Sequence, residues 1–227
     1  MSEREATQQS ESVENFLKAV YALQQDTERV STNTLSERLA ISAPSVTDMA
    51  QRLVTAGLVD YQKYRGVVLT REGEQIALKV LRRHRLIELF LMRELGYELS
   101  EVHKEAEQLE HAVSDHFVEA LARKLGHPQL DPHGDPIPSA DGTIEQRDLM
   151  PLTTLPEHTQ ATVSRLMTSN TVMLEYILER GFKLEAQVEV VARDPFEGPV
   201  RTLVDGHEQV VGHSAAACIL VEPANDG

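Results

Sequence analysis

At 227 residues, 41% hydrophobic and 26% charged, the chain has an ordinary globular composition, with room for two domains or three small ones. No run of 18 apolar residues exists, so no membrane span is expected, and the single cysteine, Cys218, excludes an internal disulfide and a Cys-x-x-Cys zinc site. The net charge of −14 weighs against nucleic-acid binding, yet residues 50–86 hold Arg52, Lys63, Arg65, Arg71, Lys79, Arg82, Arg83 and Arg85 against Asp60, Glu72 and Glu74. Met1 to Ser12 is polar, lacks an apolar signal core and reads as a disordered arm. The lone cysteine fits a reducing cytoplasm, and within Ala215-Ala216-Ala217-Cys218-Ile219-Leu220-Val221 it reads as a small core residue.

Ser12 to Gln25 has apolar residues at helical spacing, and Asp26 to Arg29 is a polar connection. Thr32 to Leu39 is a short helix, Ile41-Ser42-Ala43-Pro44 a turn, and Pro44 to Ala56 a second helix ended by Gly57. Val59 to Gln62 and Val67 to Thr70 follow as short strands, with Lys63-Tyr64-Arg65-Gly66 at the hairpin tip. Helix, helix, turn, helix, hairpin is the winged helix-turn-helix order. Two long helices are expected next, Arg71 to Leu95 stopped by Gly96 and Glu101 to Leu125 stopped by Gly126. His127 to Gly142 is irregular. Beyond Leu149, strands at Thr159–Leu166, Gln187–Ala192, Val200–Val204, Gln209–Val211 and Cys218–Val221, with one helix at Thr171–Arg180, fit a small β-barrel. The expected fold is therefore multidomain α+β: a winged helix over 1–72, a helical region over 73–146 and a small barrel over 147–227.

The two long helices carry closely spaced oxygen and nitrogen ligands. His84 and Glu88 stand four apart on the first, and Glu107, Glu110 and His111 stand at i, i+3 and i+4 on the second, with His103 one turn earlier. Carboxylate and imidazole together suit a hard or borderline divalent cation. One such pair is ordinarily a solvated surface pair. Two helices bearing them, one with four ligands on a face, leave metal binding and a solvated face both open.

The chain resembles the diphtheria-toxin-repressor family of metal-dependent transcriptional regulators, and within it the manganese-responsive branch. The resemblance runs from Ser12 to the C-terminus. It rests on the ordered succession of Ser12-Val13-Glu14-Asn15-Phe16-Leu17-Lys18, the Ser42–Ala56 helix with Gly57-Leu58-Val59, Lys63-Tyr64-Arg65-Gly66-Val67-Val68-Leu69-Thr70, Arg83-His84-Arg85-Leu86, Val102-His103-Lys104-Glu105-Ala106-Glu107, Leu109-Glu110-His111-Ala112-Val113-Ser114-Asp115 and Pro132-His133-Gly134-Asp135-Pro136-Ile137-Pro138. The resemblance implies a winged helix, a helical dimerisation region and an SH3-like domain similar to FeoA. It also implies a metal-loaded homodimer that binds double-stranded operator DNA and usually represses metal-uptake genes.

His84, Glu107, Glu110 and His111 fall on the family's primary-site positions. The iron-responsive branch has a cysteine where this chain has Glu107, and an all-oxygen-and-nitrogen set suits Mn²⁺, with Fe²⁺ as the alternative. The ligand on the first helix, usually aspartate in the manganese branch, is Asn15 here. Either its amide oxygen coordinates, or Glu11 or Glu14 takes its place. Glu88, Asp131 and His133 match a second cation site of some manganese-type members, whose alternative is an ordinary polar turn, and His103 corresponds to an ancillary site. His116, His127, His158, His207 and His213 read as surface residues.

Winged-helix logic places Ser42, Pro44, Ser45, Thr47 and Asp48 at the base-reading start of the recognition helix. Arg52 and Thr55 are set to reach phosphates, and Lys63, Tyr64 and Arg65 at the wing tip to contact backbone or minor groove. A metal-dependent hydrolase is the rival from another class, but there is no His-Glu-x-x-His, Ser-His-Asp order or glycine-rich phosphate loop. A metal-independent winged-helix module leaves the ligand spacing unexplained.

Overall fold

The computed structural model describes residues 3–25, 27–145, 147–168 and 170–224, with side chains from Glu11 onward. The chain divides into two compact units. One comprises Met1–His84, Glu110–Val113 and Pro138–Thr143; the other comprises Arg85–Leu109, Ser114–Ile137 and Ile144–Gly227.

In the first unit, helices α1 (Glu3–Leu23), α2 (Thr32–Leu39) and α3 (Ala43–Thr55) precede the hairpin β1 (Val59–Gln62) and β2 (Gly66–Leu69). Local chemistry sets their ends. Ser31 caps α2 by accepting from the Thr34 N–H, and Ser42 caps α3 by accepting from the Ser45 N–H, with proline in the first turn. The hairpin is antiparallel, with Val59 opposite Leu69 and Gln62 opposite Gly66. Val30 bridges Val67 through N–H···O contacts of 2.9 and 2.8 Å, adding a third extended segment to the wing. Gly66 has φ +104°, and a Cβ there would lie 2.3 Å from the Val30 carbonyl oxygen, so only glycine admits this approach. Phe16, Leu17, Val20, Leu35, Val46, Ala50, Leu53, Val59 and Val67 close the core beneath. Helix α1 begins at Glu3, in the stretch expected to be a disordered arm; Glu3-Arg4-Glu5-Ala6 continuing into Gln8 and Gln9 is a run of strong helix formers without glycine or proline. Met1 and Ser2 lie outside the described residues.

Helix α4 (Arg71–Leu95) contributes its length as far as His84 to the first unit and the remainder to the second. The helix expected over Glu101–Leu125 is two helices, α5 (Leu99–Leu109) and α6 (Asp115–Lys124). Ser114 starts α6 by accepting from the Phe117 N–H, and Glu110 and His111 sit in the turn between them. The amphipathic period carries on across this break, which is why the sequence reads as one helix.

The second unit also holds β3 (Met150–Pro151), β4 (Gln160–Leu166), α7 (Thr171–Glu179), β5 (Gln187–Arg193), β6 (Val200–Val204), β7 (His207–Val211), α8 (His213–Ala216) and β8 (Ile219–Pro223). These strands form one antiparallel sheet in the order β3-β8-β4-β5-β6-β7. Bulges at Val163/Arg165 and Val190/Ala192 bend it. Inward residues including Val163, Leu166, Phe182, Val188, Val190, Val200 and Ile219 fill its core. No helix among the described residues is long and apolar enough to cross a membrane.

Candidate metal centres and nucleic-acid interface

Helix α3 buries Val46, Ala50 and Leu53 and leaves Ser42, Pro44, Ser45, Asp48 and Arg52 exposed. Thr47 is half-buried and returns its hydroxyl to the Ala43 carbonyl at 3.0 Å. Gln51 and Thr55 share the exposed face. The sequence reading left Gln51 out, although an amide on a recognition helix can pair with adenine in the major groove. At the wing tip Lys63, Tyr64 and Arg65 are exposed, Tyr64 to 93%. Tyr64 has φ +67°, an unusual conformation for a bulky residue, and the Lys63 ammonium lies 5.1 Å from its ring centre. These are two exposed, polar surfaces, a helix start and a hairpin tip, carried on a buried core.

The first ligand cluster lies in the same unit. Glu110 is fully buried. One carboxylate oxygen is 2.5 Å from His84 Nδ1; the other receives Lys18 Nζ and lies 3.3 Å from His111 Nε2. His111 is in turn held by α1: Nδ1 is 2.7 Å from Glu14 Oε2 and Nε2 is 3.0 Å from Asn15 Oδ1. Arg83 reaches Glu14 at 3.4 Å. Burial pushes the Glu110 carboxyl upward, but hydrogen bonds from His111 and His84 and the charges of His84 and Lys18 outweigh it and hold it far below the usual carboxylate range. Burial lowers His111, and the Glu110 and Glu14 carboxylates overcome that and raise it to about 9. The structure thus brings together His84, Glu110, His111 and Asn15. It adds Glu14, one of the alternatives raised for the first helix, and Lys18 and Arg83, which the sequence reading did not single out as part of the site. This imidazole and oxygen donor set is chemically suited to a divalent cation of the Mn²⁺ or Fe²⁺ kind.

The second cluster lies in the other unit. Glu88, Asp131 and His133 are all buried, and one ligand atom from each lies within 4.8 Å of the others. The turn that presents them is tightly built. Asp131 Oδ1 accepts the His133 and Asp135 N–H groups at 2.8 and 2.9 Å, and a Cβ on Gly134 would fall 2.2 Å from the Ser164 carbonyl oxygen. Arg85 lies 3.5 Å from Asp131 and 3.0 Å from Asp135, and Arg165 also pairs with Asp135. The guanidinium groups thus hold Asp131 and Asp135, while Glu88 lies 3.9 Å from His133 Nδ1. Burial, with the Asp135 and Glu88 charges, raises the Asp131 carboxyl well above its usual range, and Arg85 offsets only part of this. His103 Nδ1 is 3.1 Å from Glu88, and its Nε2 is 3.6 Å from Glu107. Glu107 itself is 54% exposed and makes its ion pair with His103. A cleft of about 100 Å³ is lined by Ser100, His103, Lys104, His133, Thr168 and Thr171 among others.

A winged helix with an exposed reading surface, on a chain that also gathers buried imidazole and carboxylate donors, defines a metal-dependent DNA-binding protein. The comparisons agree. Residues 8–67 match the iron dependent repressor N-terminal DNA binding domain, 70–139 its metal binding and dimerisation domain, and 150–223 the FeoA domain. The chain is similar to a manganese-dependent transcriptional repressor solved in complex with manganese, with 39% identity, TM-score 0.88, and coverage of 93% of this chain and all of that one. It is similar to the manganese regulator SloR, with 34% identity, TM-score 0.76, and coverage of 93% and 98%. It is 29% identical over 225 residues to the iron-dependent repressor IdeR of Mycobacterium leprae, covering 93% of this chain and 97% of that protein. The chain belongs to the diphtheria-toxin-repressor family of metal-dependent transcriptional regulators, and it is not an enzyme.

Proposed function

We propose that the chain is a manganese-responsive repressor of metal-uptake genes, cytoplasmic, that binds operator DNA as a metal-loaded homodimer. It would work in three parts: residues 1–72 reading DNA, 73–146 sensing and dimerising, and 147–227 as the FeoA-like domain. The observation that carries this is the convergence on one buried carboxylate, Glu110, of His84 from α4 and His111 from the adjoining turn, with Glu14 and Asn15 of α1 on His111. Helix α1 packs Phe16, Leu17 and Val20 into the core that supports α3. A cation held by this set supplies two positive charges that tie α1 to α4 and the 110–111 turn. The residues then do the rest: His84, Glu110 and His111 hold, Asn15 or Glu14 completes the set from α1, and the recognition surface is biased toward its DNA-competent placement. A cation favouring that state about 100-fold contributes about 2.7 kcal/mol. Glu88, Asp131 and His133, with His103 alongside, are proposed as a second site.

Manganese is favoured by the absence of any thiolate among these donors and by the likeness to manganese regulators. An iron-responsive regulator is the second reading, favoured by the relation to IdeR. The test is binding to native promoter fragments across a metal series. Mn²⁺ should activate at lower concentration than Fe²⁺, and the reverse order selects the iron reading. Within the same assay, Arg52→Ala should weaken all sequences alike and lower the salt slope by about one, since it removes one phosphate contact. Substitutions at Pro44 or Ser45 should instead alter sequence preference. An unchanged slope removes Arg52 from the interface.

A further inference from the structure

We propose that Lys18 is a built-in competitor for the metal: its ammonium serves as the counter-ion of Glu110 in the metal-free protein, and a divalent cation must displace it. This rests on the metal reading of the Glu110 cluster. Glu14, Asn15 and Lys18 stand at i, i+1 and i+4 on α1, so one stripe of the helix offers two oxygen donors and one fixed positive charge to the same turn. Lys18 Nζ takes the Glu110 oxygen that also lies 3.3 Å from His111 Nε2. Any cation ligated by that oxygen and by His111 must share an oxygen with the ammonium, and in a buried site the two positive charges repel with little screening.

Lys18 is built to leave. Its side chain is 20% exposed while Glu110 is wholly buried, and a four-carbon stem lets the ammonium swing to water without moving α1. A buried carboxylate with no cation would be strongly unfavourable, so the lysine also keeps α1 docked on the 110–111 turn before metal arrives. The exchange is a simple displacement of one cation by another, and no bond other than coordination changes. Lys18 thereby sets the metal concentration at which the protein responds and uncouples folding of this unit from metal supply. Arg83, 3.4 Å from Glu14, makes a looser contact of the same kind.

The experiment compares the full-length wild type with Lys18→Met and Lys18→Gln by calorimetric Mn²⁺ titration and by thermal unfolding with and without Mn²⁺. Both variants should bind Mn²⁺ about tenfold more tightly. Both should melt at lower temperature without metal, and the stabilisation on adding Mn²⁺ should widen. Lys18→Arg, which keeps the charge, should stay within a few-fold of the wild type. Saturable wild-type binding with equal or weaker affinity in both Met and Gln variants overturns the proposal alone. No saturable Mn²⁺ binding by the wild type overturns the metal reading of the cluster, and the proposal with it.

Discussion

The two ligand clusters use the same residue types and arrive at opposite electrostatic states. Around Glu110, positive partners exceed what burial opposes, so its carboxyl is held ionised by Lys18, His84 and His111. Around Asp131, burial and two neighbouring carboxylates exceed what Arg85 returns, so its carboxyl is pushed toward the neutral form. The first cluster is satisfied by a flexible ammonium that can depart. The second is braced by the Arg85 and Arg165 guanidinium groups, which pair with Asp131 and Asp135 and anchor the turn. Two buried sets of ligands on one chain are thus poised differently: one carboxyl is held ionised by its partners, the other is pushed toward its neutral form.

The contrast is most sharply broken at Glu110. Glu110→Ala strands Lys18, His84 and His111 without their shared carboxylate. It should cost about 3 kcal/mol of metal-free stability, the scale for removing one partner of a buried pair. It should also abolish metal-activated DNA binding. Chemical denaturation without metal and promoter binding with Mn²⁺ measure the two effects. A variant that keeps wild-type metal response would show that the cluster is structural only.

Asp131→Asn should act in the opposite sense on stability. The amide keeps one oxygen to accept the His133 and Asp135 N–H groups and removes a charge that its neighbours oppose. Metal-free stability should therefore be unchanged or higher, while a second equivalent of Mn²⁺ binds about tenfold more weakly, a loss of about 1.4 kcal/mol. Metal stoichiometry by equilibrium dialysis and the metal-free melting temperature together decide it. A clear loss of stability with unaltered metal binding would make Asp131 a turn residue and nothing more.

The winged helix was legible because its signals are local. Ser31, Ser42, Pro44 and Gly66 each specify an end or a turn within a few residues of themselves. The break at Ser114 was not, since the apolar period runs through it and only the cap reveals it. The consequence reaches the site. Glu110 and His111 were read as one helical face with Glu107, whereas the turn carries the first two and Glu107 stays on α5 beside His103. Residue types nominated His84, Glu110 and His111, but the contact of Lys18 with a residue 92 positions away is set by packing that no spacing rule encodes. Glu88, Asp131 and His133 were reached through family resemblance, because their meeting depends on an Asx-type turn inside an irregular segment.

The smallest effect expected concerns pH and separates the clusters once more. His111 is raised from 6.5 to about 9 in the folded chain, where the Glu110 and Glu14 carboxylates overcome the opposing effect of burial. A folded value above the unfolded one means the protonated imidazole stabilises the fold; that stability is fully present below pH 6.5 and is lost as pH rises through about 9. Metal-free melting temperature should therefore decline across this window, and His111→Gln should flatten that part of the profile. Mn²⁺ affinity should climb over the same range, because a coordinating imidazole must be neutral and the cation displaces its proton. Thermal unfolding and metal titration at constant ionic strength supply both curves. Persistence of the same decline in His111→Gln would assign the pH response to other groups and would leave the Glu110 cluster without its protonated histidine.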